Sequence, residues 1–439
     1  MEELLHYVWK HKILPLRELK TTEGCTIEVL NPGMHNTDAG PDFHAAKIKI
    51  DGVVWVGDVE IHQHSSDWFR HGHDKDANYD KIILHVAADI DCELKYSNGE
   101  NIPQVQIDVP DYVRTNYDSL LRSDYSPRCA NVINGISPLM VHGWLNSLQV
   151  ERFEERMKQI MLRREALGKS WEDALFVTVA RNFGFGKNGD AFELWANSIP
   201  MGAVGKHRDN LFQIEAIFFG QAGFLNENDN DNDKENEYYL RLQKEYRYLR
   251  QKFSLTPIDL KAWKFLRLRP QNFPHVRIAQ LAMLYYKQQF NMSRLINADS
   301  VEKMEALFDT QVSDFWRTHY SFTSEPSASS SKQLSKSSIH LILINSAAPF
   351  LFAYGTYKAD DTLREHAFEL WENLKPESNS IIRNWKSAGL TPEHAGDTQA
   401  LIQLTKNYCD RHDCLRCRFG YEFIRNTPDF LREKNEEKT

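Results

Sequence analysis

Apolar residues alternate with polar ones through much of residues 26–108 and recur at helical spacing after about residue 136. The chain therefore predicts a mainly β segment followed by a mainly helical one. Leu4, Leu5, Val8 and Trp9 share one side of a short amphipathic helix over residues 2–12. Strands are predicted at 26–30, 43–50, 53–63 and 81–89, and a hairpin at 92–108 turns at Asn98-Gly99. In the 53–63 strand, Val54, Val56, Val59 and Ile61 read as the apolar anchoring face. Ser137-Pro138 opens a helical pattern that runs to 165. Further helices are predicted at 170–182, 190–198, 208–221, 238–253, 258–266, 275–290, 300–308 and 338–352. The expected fold class is α+β, with a mixed N-terminal domain over 1–135 and an α-helical domain over 136–439. The acidic run near 226–237 and the serine-rich run near 323–338 read as mobile insertions in the helical part.

Candidate chemistry concentrates in GPDFHAAKIKIDGVVWVGDVEIH, residues 40–62. Asp51-Gly52 is a turn signal between two strand patterns. Asp58, Glu60 and His62 stand at every second position of the second strand, so they project to one face. A hairpin brings Asp42, at the start of the first strand, close to the end of the second. Carboxylates and a nitrogen base then converge on one point, which suits a divalent cation such as Mg²⁺ or Mn²⁺. The alternative is a solvated sheet face. Ligand-type residues continue as His64, Asp67, His71, His73 and Asp74, and His85 stands in the next strand. They support a second reading, a His/carboxylate hydrolase using Zn²⁺ or Mn²⁺ on a small substrate.

The pattern of helix, Pro41-Asp42 and Glu60-Ile61-His62 resembles the PD-(D/E)xK nuclease superfamily, with His62 where that superfamily usually carries lysine. The resemblance covers roughly residues 1–110. It implies a restriction-endonuclease-like α/β core and Mg²⁺-dependent hydrolysis of nucleic-acid phosphodiester bonds, with DNA the expected polymer. Carried over by position, Asp42 and Glu60 hold the metal, His62 positions water and Asp58 assists. The whole chain also resembles a bacterial family known only as a domain of unknown function, through GPDF, GDVEIH, IEAIFFGQAG, RLRPQNFP and the C-terminal cysteines. That likeness implies no activity.

Three of the six cysteines stand as Cys409-x4-Cys414-x2-Cys417, spacing that favours a metal site over a disulfide framework. Cys129 is the favoured fourth ligand and His412 the local alternative. The group is an iron–sulfur cluster or Zn²⁺. Some nucleases of the resembled superfamily pair one remote cysteine with a C-terminal trio around such a cluster.

The net charge of −8 does not advertise a polyanion binder, but residues 241–290 carry eleven basic side chains against two acidic ones. Arg267, Arg269 and Arg277, around Pro270 and Phe273, are the candidate contacts to nucleic acid. A non-catalytic helical adaptor that binds nucleic acid is the remaining class. The N-terminus lacks a secretory pattern and no run of about 18 apolar residues occurs, so a cytoplasmic protein with no membrane partner is expected.

Overall fold

A computed structural model describes residues 2–14, 18–36, 38–168, 170–225, 236–286 and 289–425. The chain is α+β and forms two compact units. The first contains the N-terminal segment up to Val141, Asn384–Leu390 and the segment that begins at Leu404; the second contains His142–Arg383 and Thr391–Gln403. This division differs from a single border at 135/136, because the C-terminal cysteines return to the first unit.

The first unit opens with helix α1, Glu2–Lys10. Acids in its first turn and Lys10 in its last complement the helix dipole. Leu4, Leu5, Tyr7, Val8 and Trp9 are buried. The sheet then forms from β1 (Leu19–Lys20), β2 (Thr26–Asn31), β3 (Met34–His35), β4 (Phe43–Ile50), β5 (Val53–His64), β6 (Ile82–Asp89) and β7 (Gln104–Gln106). Its order is β1-β2-β4-β5-β6-β7, with β3 paired to β4. Strands β2, β4 and β5 pair antiparallel, whereas β5, β6 and β7 pair parallel.

The β4–β5 turn has positive φ at Asp51 (44°) and Gly52 (84°), the geometry that matches strand twist in a two-residue hairpin. Asp51 Oδ1 also accepts a bond from Thr26 N at 2.7 Å. The register slips between Phe43 and Ala46, where Ala45 sits at φ 54°. A bulge of this kind re-aims the side chains beside it. Gly57 is required for close approach: a Cβ there would lie 2.3 Å from Ile83 Cγ2.

Strand β5 is not amphipathic along its length. Val54 and Val56, expected on one anchoring face with Val59 and Ile61, fall by the period of two on the face of Asp58, Glu60 and His62 instead; they are 52% and 60% exposed, and Val53 and Trp55 are exposed beside them. From Val59 to His62 every residue is buried. The exposed half belongs to the antiparallel hairpin; the buried half pairs with β6 and is covered on both faces.

The connection from β5 to β6 contains α2 (Asp67–Arg70) and two 3-10 turns, His73–Lys75 and Ala77–Lys81. Trp68 and Tyr79 pin it through an apolar cluster with Ile82, Leu94 and Ile102. The hairpin expected at 92–108 reduces to a tight turn at Asn98-Gly99 with one bridge, Lys95 to Asn101. The chain then continues into β7, parallel to β6.

The second unit is helical, and buried aromatic rings fill its core; Phe153 stacks on Trp371 with centroids 3.7 Å apart. Its helices include Pro138–Ala166, which begins in the first unit, then Trp171–Phe183, Gly189–Asn197, Leu211–Gln221, Glu237–Phe253, Pro274–Tyr285 and Val301–Leu307. The helix expected at 258–266 is only a 3-10 turn, Leu260–Ala262. There the Trp263 indole N–H donates to Ala222 O at 2.8 Å, and this tertiary bond takes over from helical periodicity. Residues 336–358 form a helical run long and apolar enough to cross a membrane, but 72% of its most apolar window is buried within the protein.

Residues 226–235 of the acidic run lie outside the described residues. The serine-rich run is irregular in path and pinned. Buried Lys332 donates from Nζ to Trp316 O at 2.6 Å and to His319 O at 2.5 Å, and Ser327 Oγ donates to Thr318 O at 2.7 Å.

Candidate functional site

The bulged start of β4 and the buried end of β5 bring Asp42 and Glu60 together. Asp42 N donates to Glu60 Oε2 at 3.0 Å, and Ile61 N donates to Asp42 Oδ2 at 2.9 Å. Each acid is thus tied to the other's strand. His62 follows on the same buried face as Glu60, and its Nε2 lies 3.5 Å from Glu60 Oε1.

The β5–β6 connection supplies the rest. His73 Nε2 lies 3.1 Å from Glu60 Oε1, and His71 Nδ1 lies 3.2 Å from His62 Nε2. The ligand nitrogens of His62, His71 and His73 all lie within 4.8 Å of one another. The His73 ring stacks on Tyr79, with centroids 3.8 Å apart, which holds the 3-10 turn over the sheet. Behind the group, His62 Nδ1 lies 2.9 Å from His85 Nε2, so His85 fixes the ring and leaves His62 Nε2 facing its neighbours. His6 of α1 closes the other side, with Nε2 3.3 Å from Asp42 Oδ2.

Burial pushes His62 down to about 2, and the neighbouring His85, His73, His71 and His6 add to the fall. Its imidazole is therefore neutral, with a lone pair to offer. Burial holds Glu60 above the usual carboxylate range; the His73 hydrogen bond pulls it down and the Asp42 charge pushes it up. Burial also works against a charged His6, but the Asp42 hydrogen bond and charge outweigh it and raise that group. Burial lowers His85 to about 4, with Gln104 opposing.

Other expected residues fall elsewhere. Asp58 does not join Glu60 and His62, because the β5–β6 register shifts between Asp58 and Val59. Its Oδ1 accepts from Ala45 N at 3.2 Å and lies 3.3 Å from His44 Nδ1. His64 pairs with Asp89 at 3.2 Å. Arg277, expected on a nucleic-acid surface, is buried. It donates to Gln280 Oε1 at 2.9 Å and Asn272 Oδ1 at 2.6 Å and lies over the Phe185 ring. It is a core arginine. Arg267 and Arg269 are exposed.

His6 is not among the residues expected from sequence, because nothing in the pattern of α1 points it to Asp42. His71 and His73 lie in a non-repeating crossover, so no strand or helix period places them.

The four cysteines expected together do line one small cavity, with Leu120, Arg128, Tyr408 and Gly420. Cys129 precedes the short helix Ala130–Ile133, Cys409 ends a π turn, Cys414 opens a 3-10 turn and Cys417 precedes the helix Arg418–Arg425. A Cβ on Gly420 would sit 2.1 Å from Cys414 O, so only glycine lets this helix close on the loop. Burial raises the Cys129 thiol well above its ordinary value, and the other three sulfurs raise it further. His412 is not in this lining; its Nε2 lies 2.5 Å from Arg128 Nη2. None of the six cysteines forms a disulfide among the described residues.

No curated protein and no solved structure matches the chain. A family model described as "Protein of unknown function (DUF2851)" matches residues 2–380. The matched span includes Asp42, Glu60, His62, His71 and His73, and the C-terminal cysteine trio follows it. With most of its length matched, the chain belongs to this family of proteins of unknown function, DUF2851.

Proposed function

We propose that the first unit is a metal-dependent hydrolase whose ion is held by His62, His71, His73 and Glu60. One observation carries this reading: three imidazole nitrogens lie within 4.8 Å of one another, beside a buried carboxylate. Three nitrogen donors and one carboxylate suit Zn²⁺ or Mn²⁺ better than Mg²⁺, which prefers oxygen ligands. An ion in such a site polarises the bond to be cleaved and acidifies its bound water. The chain's own contribution lies in the second layer. His85 orients His62, Tyr79 orients His73, and the Asp42–His6 pair is placed to take up and hand on a proton.

A second reading keeps nucleic acid as substrate and Mg²⁺ as the ion, with Asp42 and Glu60 as its holders. The Asp42 N to Glu60 Oε2 bond favours it, since that motif needs two acids at adjacent strand positions. Arg267 and Arg269 then remain as phosphate contacts, without Arg277.

The cysteine cavity takes a polynuclear iron–sulfur cluster in our reading. Four cysteines around one cavity, three of them in C-x4-C-x2-C spacing, are the donor set that such clusters take.

Mn²⁺ titration followed by electron paramagnetic resonance tests the hydrolase reading, because thiolates compete poorly for Mn²⁺. The wild type should bind one Mn²⁺. The His71→Ala/His73→Ala variant should bind it at least a hundredfold more weakly with unchanged circular dichroism. Wild-type affinity in that variant overturns the reading. If Asp42→Ala alone abolishes binding, the Mg²⁺ reading replaces it.

A further inference from the structure

A cavity of about 340 Å³ in the first unit is lined by His6, whose Nε2 lies 3.3 Å from Asp42 Oδ2 beside the candidate metal centre. One wall is α1, which contributes His6, Tyr7 and Lys10. The facing wall is the loop between Cys409 and Cys417, which contributes Arg411, His412 and Arg416. Two acids, Glu3 and Asp413, also line it. Asp413 lies 3.4 Å from Arg416, and Glu3, Lys10, Arg411 and Arg416 are all exposed. Three cationic side chains thus face two acids in the lining, and Lys10 and Arg411 form no ion pair among the described residues.

We propose that this cavity is the substrate pocket of the hydrolase and that it takes a small phosphate-bearing molecule of about nucleotide size. The inference rests on the metal-dependent reading above. Arg411, Arg416 and Lys10 hold the phosphate through charge-assisted hydrogen bonds. The reacting end lies toward His6 and Asp42. The volume is at the lower end of ordinary small-ligand sites and too small to enclose a folded polymer. Both arginines lie between cysteines of one cavity, so whatever group those sulfurs hold also shapes the phosphate end of the pocket.

Adenosine monophosphate and inorganic phosphate serve as probes in calorimetric titrations of the full chain. The wild type should bind adenosine monophosphate in the micromolar to low millimolar range. Arg411→Ala/Arg416→Ala should weaken it by about a hundredfold, roughly tenfold per lost charge-assisted contact, and leave the Mn²⁺ titration unchanged. His71→Ala/His73→Ala should lose Mn²⁺ and keep the nucleotide, which separates failure of this inference from failure of the metal reading. Wild-type nucleotide affinity in the arginine variant overturns the proposal. So does binding of neither probe by the wild type, or binding only of single-stranded oligonucleotides.

Discussion

At the scale of single residues, the β4–β5 hairpin supplies Asp42, Glu60 and His62, and the β5–β6 connection supplies His71 and His73. Asp42, Glu60 and His62 could be paired because a two-residue turn and a period of two fix where strand side chains point. Asp58 obeyed the same period and still fell out of the site, because one slipped register turned it toward Ala45. The residue behind the site is the sharper test of the proposed centre. His85 lies 2.9 Å from His62 Nδ1. His85→Phe keeps the volume and removes that partner, so Mn²⁺ affinity should fall by about tenfold. His85→Gln, whose amide can still accept from the ring, should recover part of it. Equal affinity in the wild type and His85→Phe would show that the contact serves packing alone.

At the scale of elements, the periodic segments were read well and the segments that build sites were not. Most of the helices that the pattern predicts start and stop within a few residues of their expected ends, as long apolar periods allow, whereas Asp361–Asn373 and Ala395–Leu404 are not among the expected ranges. The β5–β6 connection and the Cys409–Cys417 loop have no period, and their shapes come from tertiary anchors such as Trp68, Tyr79 and Gly420. Gly420 offers an element-level test that removes no sulfur. Gly420→Ala drives its Cβ against Cys414 O, which must move to relieve the contact. Anaerobically purified wild type should be brown and contain iron and acid-labile sulfide; Gly420→Ala should lose most of both. A colourless wild type with one zinc per chain defeats the cluster assignment.

At the scale of the whole molecule, the chemistry described here gathers in the first unit, and the buried ionisable groups of the second act on stability. Glu215 is buried and accepts bonds from Tyr238 Oη at 2.6 Å and Ser313 Oγ at 2.7 Å. Burial raises it from 4.5 to about 7 against those bonds. His275 is enclosed by Phe219, Phe224, Phe265, Trp316 and Phe322, and burial lowers it from 6.5 to about 3. Their effects on stability have opposite signs. Between pH 4.5 and 7 the folded chain keeps the Glu215 proton that the unfolded chain loses, so this contribution falls as pH rises. Between pH 3 and 6.5 the unfolded chain binds a proton at His275 that the folded chain refuses, so that contribution rises with pH. The two oppose each other from pH 4.5 to 6.5 and leave a plateau. Below it the histidine dominates, and just above it the glutamate does. Glu215→Gln removes the falling arm while keeping an acceptor for Tyr238. Relative to wild type, this variant should gain about 3 kcal/mol between pH 5 and pH 8, at 1.36 kcal/mol per pH unit. Chemical denaturation at several pH values measures this directly. A variant-minus-wild-type difference that stays flat across that range would mean that Glu215 is already ionised in the folded chain.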